Sequence, residues 1–463
     1  MMASEIVPDL AGSRARSGGA ALLRRVAVLR RVLRRIVALG PSSGLRRAGL
    51  ALSASALLCS SQAALQSQAE GVGPERIALR SSGLIDIEQG AVIEDAVVLV
   101  EGARIVAVGT GKQVSIPEGT RLVDLGSCWL LPGLIDAHVH LAWGVAAGSA
   151  GSDAPPPGAD EALATLRAGF TTVRNLGSTG FADLELRDAI DAGRVTGPRM
   201  LVAGPGLGAP GGTCAQVFAG EGVVGGAEEA RAKVRELAGL GVDWIKLCAG
   251  GGVLATAADQ DSCELSIETM RAIVEEAHAR SLRVAAHAQG PRAIAAAVQA
   301  GVDSIEHGAL IDEPTARAMK ERGTVLVPTL YRLDWNLAAA GQTGGAQASR
   351  LVQARDDARA RAARAIELGV PIALGTDATV IPHGLNAREL GVLVELGLSP
   401  LAALRAATLD AARLLGLERE IGSITPGKRA DLIAVTADPL ADVHVLEHVA
   451  WVMRDGRVVK DER

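Results

Sequence analysis

Residues 131–140 read Leu-Pro-Gly-Leu-Ile-Asp-Ala-His-Val-His, an apolar run that ends in two histidines separated by one residue. Because side chains alternate between the two faces of a β-strand, His138 and His140 are expected to point the same way at the end of a buried strand. Two imidazoles on one face are suited to bind a metal ion. A lone His-x-His can equally be one packed and one exposed histidine, so the rest of the chain must supply the missing ligands.

Seven further apolar runs of strand length follow, separated by Ala-, Glu- and Arg-rich stretches with helical periodicity. The eight predicted strands cover residues 134–140, 171–177, 199–204, 244–249, 283–288, 303–307, 324–330 and 371–377. This alternation predicts an α/β protein with a parallel TIM-type (β/α)8 barrel over residues 131–420. The strand-rich flanks at residues 76–130 and 421–463 are each too small for a good core, so we expect them to combine into one small β-sandwich domain.

Chemically active residues recur where such a barrel places its catalytic groups, at the carboxyl ends of the strands. Besides the two histidines of the first strand, these residues are Lys246, His287, His307 and Asp377. Taken alone, each has a structural explanation: His287 or His307 can be a core histidine, Asp377 can cap a helix, and Lys246 can reach solvent. An unpaired ammonium among apolar neighbours is costly, however, so Lys246 is expected to have a chemical role or a partner. Six such residues at five strands predict a metal site.

From about residue 78 onward the chain resembles the amidohydrolase superfamily. The motifs that carry the resemblance are Pro-Gly-Leu-Ile-Asp-Ala-His-Val-His140, His287-Ala, Glu306-His-Gly, Gly375-Thr-Asp and Ile421-Gly-Ser-Ile-Thr-Pro-Gly-Lys-Arg-Ala-Asp-Leu-Ile-Ala-Val435. The chain is most similar to the prolidase-like and imidazolonepropionase-like branch, on the basis of Ile245-Lys246 with its glycine run, Ser304-Ile-Glu-His307, Leu326-Val-Pro-Thr-Leu330 and His383-Gly-Leu-Asn-Ala-Arg-Glu-Leu390.

The resemblance implies a hydrolase with two divalent metal ions, with Zn²⁺ as the expected metal, that activate water for attack on a carbonyl. The implied ligands are His138, His140 and Asp377 for one ion, His287 and His307 for the other, and between them Lys246, carboxylated by carbon dioxide. Asp377 would also take the proton of the attacking water and pass it to the leaving nitrogen. All six positions are retained in this chain, which argues against a non-enzymatic binding protein.

The implied substrate is a small-molecule amide, either an aminoacyl or an N-acyl amino acid such as an Xaa-Pro dipeptide, or an ochratoxin-type amide. A cyclic amide, as in imidazolonepropionases, or a lactone or ester is the alternative, because the same water attacks either carbonyl. Deamination is disfavoured because the His-x-x-Glu of deaminases is replaced here by His287-Ala-Gln-Gly290. A substrate carboxylate needs a partner, and the candidates are Tyr331, Arg332 and His383. Assembly into a homo-oligomer is left open.

Residues 1–69 are predicted to be a leader that is removed from the mature protein. Arg46-Arg47 precedes a short apolar stretch and two small-x-small cleavage signals, Ser61-Gln-Ala63 and Ser67-Gln-Ala69. The apolar stretch is too short for a permanent membrane span, so a periplasmic or secreted protein is expected. The basic amphipathic segment at residues 22–39 fits a signal poorly, and the alternatives are a later translation start or a cytoplasmic protein with an unusual leader.

Charge and cysteine content limit the remaining functions. The net charge is -5, yet residues 1–69 contain ten arginines against only Glu5 and Asp9, so the body of the protein is acidic. An acidic body without a basic stripe argues against a nucleic-acid partner. The four cysteines after the leader either pair in an oxidising compartment or are small buried hydrophobic residues; they are Cys128, Cys214, Cys248 and Cys263.

Overall fold

The described part of this computed structural model covers residues 75–143, 154–251, 261–340 and 346–463, so the predicted leader at 1–69 lies outside it. Its strands are β1 (Arg76–Asp86), β2 (Ala91–Glu101), β3 (Arg104–Thr110), β4 (Arg121–Asp124), β5 (Trp129–Pro132), β6 (Leu134–Val139), β7 (Phe170–Asn175), β8 (Arg199–Val202), β9 (Trp244–Cys248), β10 (Arg283–Ala288), β11 (Ser304–His307), β12 (Val325–Val327), β13 (Leu432–Val435), β14 (Trp451–Arg454) and β15 (Arg457–Asp461).

The described helices cover most of the segments between the central strands. They are α1 (Ala159–Arg167), α2 (Ala182–Asp191), α3 (Thr213–Val217), α4 (Ala227–Leu240), α5 (Ile267–His278), α6 (Pro291–Ala300), α7 (Glu313–Arg322), α8 (Tyr331–Ala340), α9 (Ala346–Leu368), α10 (Arg388–Glu395), α11 (Pro400–Ala406) and α12 (Leu409–Leu415), followed by a 3-10 helix at Val443–His448. Within the described ranges, no helix has the length and apolar character needed to cross a bilayer.

Seven central strands run parallel in two sheets. Strands β6, β7 and β8 form one sheet, and β9 to β12 form the other in sequence order. Parallel neighbours need a crossover, and amphipathic helices supply it here. Helix α5, for example, begins after Ser266, whose side chain accepts a hydrogen bond from the Thr269 amide, and it buries Met270 and Ile273. This part of the chain has the α/β character that the sequence predicts.

The predicted eighth strand at residues 371–377 is wrong as a regular strand. Within the segment Ile372 forms one isolated bridge, with Leu326, and Ala378 just after it forms another, with Val139. The ladder is interrupted where the Leu374 amide donates to the Ala406 carbonyl at 2.8 Å instead of to a neighbouring strand, and the segment ends at Asp377, which has a left-handed φ of 59°. Backbone bonds still place the segment beside β6, since the Asp377 amide donates to the His138 carbonyl at 2.8 Å.

The two flanks share one eight-stranded sheet in the order β15-β14-β13-β5-β1-β2-β3, with β4 also paired to β1. Strand β5 joins the flanks because it pairs with β1 on one side and antiparallel with β13 on the other. Buried side chains of this sheet form one apolar core, which includes Leu79, Val98 and Trp451. The two separately hydrogen-bonded sheets of the predicted sandwich are therefore not seen in the described flanks, although both flanks do combine.

Candidate active site

The strand ends bring the predicted ligands together. The Nε2 atoms of His138 and His140 each lie 3.5 Å from Oδ1 of Asp377, and the potential ligand atoms of these three residues all lie within 4.8 Å of one another. The His307 ring centroid lies 5.1 Å from that of His138 and 4.6 Å from that of His287. The structure thus places four histidines and an aspartate in one cluster, which we call the ligand cluster after the role that the sequence predicts for His138, His140, His287, His307 and Asp377.

Burial keeps these histidines in the form that binds metals. Desolvation is the largest cause that lowers the pKa of each, to about 3 for His140 and well below the usual value for His138, His287 and His307. The nearby positive charge of Lys246 lowers them further. Their rings are therefore neutral at physiological pH, with a nitrogen lone pair available.

The other ring nitrogens of three histidines are occupied, which is the arrangement expected of metal ligands. His140 Nδ1 lies 3.1 Å from the Gly177 carbonyl, and a carbonyl can only accept, so this nitrogen carries the proton. His138 Nδ1 lies 2.8 Å from Glu306 and His307 Nδ1 lies 2.7 Å from Thr329 Oγ1. Partners of this kind orient the ring and leave Nε2 free for an ion. The His138, His140 and Asp377 donor set fits a divalent metal.

Lys246 comes from β9 and is only 3% exposed. Burial is the main cause that lowers its pKa, to about 8. Its strand pairs in parallel with β10, which carries His287, and its charge lowers the pKa of His138, His140 and His287, as expected of a side chain beside the cluster. A buried amine that readily loses its proton is suited to chemistry rather than to a surface role.

Three residues at this cluster have a strained backbone. Among the described non-glycine residues with positive φ are His307 at 71°, Thr329 at 51° and Asp377 at 59°. Each such residue costs about 1–3 kcal/mol and persists where its surroundings hold it in place. Close packing of the chain adds to this, because a Cβ at Gly375 would lie 2.9 Å from the Cβ of His138. The strand ends are therefore held in a specific and costly geometry.

A buried ion pair beneath His138 is not among the predicted site residues. Glu306 Oε1 accepts a hydrogen bond from Arg174 at 2.9 Å, and neither side chain is exposed. The Arg174 guanidinium also lies 4.2 Å from the centroid of the Trp244 ring. The available signal is a charged residue within an apolar strand, since Glu306 precedes His307 in β11.

Asp136 is a second residue that sequence reasoning missed. It is fully buried, and burial is the main cause that raises its pKa to about 6. Its oxygens accept from the amides of His138 and Thr376, from the Thr376 hydroxyl and from Asn386 Nδ2. Asp136 therefore ties the strand that carries His138 to the segment that carries Asp377, and it sets the spacing between the two ligands.

The three candidate substrate contacts lie in different surroundings. Arg332 is 7% exposed; its Nε donates to Thr329 Oγ1 at 3.1 Å and lies 3.5 Å from Asp377 Oδ2. Tyr331 accepts from Arg388 at 2.6 Å through its hydroxyl. His383 Nδ1 lies 3.0 Å from Thr165 Oγ1. Arg332 contacts Asp377, and His383 lies close enough to the His140 backbone for a hydrogen bond to raise its pKa against the stronger effect of burial.

Glu389 is another residue that sequence reasoning missed, and it holds the start of the helix that carries Arg332. It is fully buried, and its two carboxylate oxygens accept from the amides of Leu330 and Tyr331 at 2.8 and 2.7 Å. These amides open helix α8, whose first turn carries Arg332, so Glu389 caps the helix and fixes its start. Glu389 lies in the His383–Leu390 motif, which was the available signal.

The four cysteines in the described residues divide into one pair and two free thiols. Cys214 and Cys248 form a disulfide with a Cα–Cα distance of 5.6 Å, while Cys128 and Cys263 are free. Cys248 ends β9, two residues after Lys246, so the disulfide lies next to the ligand cluster.

Comparisons with known proteins agree with the motifs. The profile of the amidohydrolase family matches residues 129–459. An ochratoxinase of Aspergillus niger is 30% identical, with coverage of 83% of this chain and 87% of that enzyme. A solved Xaa-Pro dipeptidase with methionine bound in its active site is 32% identical, with a TM-score of 0.75 and coverage of 83% of this chain and 99% of the other. An imidazolonepropionase of Symbiobacterium thermophilum is 28% identical, with coverage of 81% of this chain and 92% of the other.

Proposed function

The chain belongs to the amidohydrolase family and is a hydrolase acting on carbon–nitrogen bonds, and from this premise we propose that it cleaves the amide of small aminoacyl or N-acyl amino acids with a free carboxylate. The observation that carries the proposal is Arg332, a buried cation 3.5 Å from Asp377 at the edge of the ligand cluster. The similarity to a Xaa-Pro dipeptidase and to an ochratoxinase supports amides of this class.

The proposed architecture is a closed (β/α)8 barrel at residues 131–420, with a small β domain from residues 76–130 and 421–463. The hydrogen bonds of the segment at 371–377 to β12 and β6 support closure. In such a barrel all the ligand-bearing strand ends open on one face, which is where active sites of this fold lie.

Two divalent ions, with zinc as our expectation, are proposed to bind to His138, His140 and Asp377 and to His287 and His307. When bound, they would activate water and polarise the scissile carbonyl. Lys246 is proposed to bridge them as a carbamate. Its neutral amine would bond to carbon dioxide and release one proton, which yields two anionic oxygen ligands. The pKa of about 8 raises the fraction of neutral amine that this reaction needs.

Asp377 is proposed to move the proton. It lies between the histidines and Arg332, so it can accept the proton of the attacking water and deliver it to the leaving nitrogen. Arg332 is proposed to bind the substrate carboxylate with its outer guanidinium nitrogens while its Nε stays on Thr329. The leaving amine would thereby be held beside Asp377.

The mature protein is proposed to act outside the cytoplasm, without its leader. The Cys214–Cys248 disulfide supports this location, since disulfides persist in oxidising compartments.

A hydrolysis screen of metal-loaded protein tests the proposed function. The substrates are Xaa-Pro dipeptides and N-acyl amino acids, their methyl esters, cyclic amides and simple lactones. We expect the free carboxylates to be cleaved best. Preferred turnover of cyclic amides, the class suggested by the imidazolonepropionase relative, or of lactones would overturn the substrate assignment and leave the metal chemistry intact.

A further inference from the structure

We propose that Trp143 binds a bulky apolar or aromatic acyl group of the substrate, and that the Cys214–Cys248 disulfide positions it. This inference rests on the proposed function, because it names the half of the amide opposite the carboxylate. The relevant surface is the aromatic wall, which we define as Trp143 and Phe218.

The aromatic wall stands directly beside a candidate metal ligand. The Trp143 ring centroid lies 4.6 Å from that of His140 and 6.1 Å from that of Phe218, with T-shaped geometry in both pairs. Trp143 is 41% exposed, whereas Phe218 is 3% exposed. The wall therefore has one buried member that supports it and one indole that is open to a ligand.

Two glycines allow Phe218 to approach the site. A Cβ at Gly177 would lie 2.3 Å from Phe218 Cζ, and Gly177 is the residue whose carbonyl accepts from His140. A Cβ at Gly206 would lie 2.7 Å from Phe218 Cε2, 2.8 Å from Cys214 Sγ and 3.2 Å from Lys246 Cγ. Phe218, the disulfide and Lys246 thus converge at Gly206, and the wall is built into the site.

The disulfide joins the two elements that form this region. Cys214 lies in α3, four residues before Phe218, and Cys248 ends β9, which carries Lys246. Helix α3 has only five residues and no side-chain cap, so its own backbone gives it little stability. Cys214, Phe218 and Cys248 form a separate small apolar cluster. The covalent link therefore holds Phe218, and through it the Trp143 ring, against the site.

The positions of the wall and of Arg332 assign the two halves of the substrate. Trp143 contacts His140, whereas Arg332 contacts Asp377 and Thr329. With the carboxylate half at Arg332, the acyl half extends toward the wall. A partly exposed indole offers a large apolar face at little conformational cost, and aromatic groups stack on it favourably. The wall thus favours aromatic acyl groups over small ones.

Two dipeptides that differ only in the acyl residue, Phe-Pro and Ala-Pro, test the wall by kinetics. We expect wild type to have the higher kcat/KM for Phe-Pro. Trp143→Ala should lower that preference by about tenfold, and the matched control Trp143→Phe should retain most of it. Equal losses for both dipeptides, or no preference in wild type, would overturn the proposal.

A binding measurement keeps the test independent of turnover. Titration of metal-loaded protein with N-benzoylglycine should quench tryptophan fluorescence in wild type and much less in Trp143→Phe. Equal quenching in both proteins contradicts the wall. Quenching without hydrolysis of any amide would instead contradict the proposed function and retain the wall, so the two failures are distinguishable.

A separate experiment tests the positioning role of the disulfide. Cys214→Ser/Cys248→Ser should lower the Phe-Pro preference toward that of Trp143→Ala, because Phe218 loses its tether. The control is Cys128→Ser/Cys263→Ser, which removes the two free thiols and should leave the preference unchanged. Thermal unfolding is measured for all variants, and a preference that stays at the wild-type value in the folded disulfide-free protein contradicts the positioning role.

Discussion

His138 Nδ1 lies 2.8 Å from Oε2 of Glu306, and the two side chains are 1% and 0% exposed. Arg174 holds the other carboxylate oxygen at 2.9 Å, so the carboxylate is paired on both sides. This arrangement favours the proton on Nδ1 of His138 and directs Nε2 toward Asp377. The ion pair thus acts on the candidate metal site without entering it.

Glu306→Gln is expected to weaken metal binding by about 10–100-fold, the usual cost of losing such an outer partner. The reason is that the glutamine amide has one neutral oxygen, so it cannot accept from both His138 and Arg174 as the two carboxylate oxygens do. Competition with a chromogenic chelator measures the affinity. Glu306→Ala is the harsher comparison, because it leaves Arg174 unpaired and should destabilise the fold by about 3–5 kcal/mol. Unchanged affinity in a folded Glu306→Gln protein would count against this role.

Lys246 is expected to determine the metal count. Purified protein supplied with bicarbonate should contain close to two divalent ions per chain, and Lys246→Ala should lose the bridge and most activity. Lys246→Arg should not restore either, because a guanidinium cannot be carboxylated. Elemental analysis compares the metal content per chain of wild type, Lys246→Ala and Lys246→Arg. A wild-type content of no more than one ion after supplementation, or full activity in Lys246→Ala, excludes the bridged pair.

Asp377→Asn is expected to lower kcat by about 10²–10⁴-fold. Substrate affinity should change far less. An amide keeps the size of the side chain and cannot accept the proton. Steady-state kinetics separate the two parameters, and metal content is measured in parallel because Asp377 is also a candidate ligand. If KM rises while kcat stays near wild type, Asp377 has no part in proton transfer.

Arg332→Met should mainly raise KM for substrates with a free carboxylate, by about 10–100-fold, since a hydrogen bond to a charged group contributes about 1.5–3 kcal/mol. The methyl esters of the same substrates serve as the internal control and should change little. Equal losses of kcat for acid and ester would instead show that Arg332 acts through Asp377, which lies 3.5 Å away.

Mature protein from the native cell is expected to lack residues up to about Ala69, as the apolar segment and its small-residue sites predict. N-terminal sequencing of that protein locates the first residue. An intact segment at residues 22–45 would contradict export through this leader.

The chemistry of the cluster was predictable because it depends on residue type at strand ends. Apolar runs that end in His138, His287 and His307 are local features, and parallel strands bring their carboxyl ends to one edge. The eighth strand was mispredicted because its apolar run at 371–377 is as strand-like as the others. Its interruption comes from a contact outside the run, since the Leu374 amide donates to the Ala406 carbonyl and not to a neighbouring strand.

By itself the sequence determined the family, the parallel order of the strands and the residues that form the ligand cluster, since periodicity and residue type carry this information locally. The tertiary structure alone decided the partners of those residues. The Glu306 contact with Arg174, the pairing of Cys214 with Cys248 and the contact of Arg332 with Asp377 join distant segments. Buried polar groups must find partners in three dimensions, and no local pattern states which distant side chain will satisfy them.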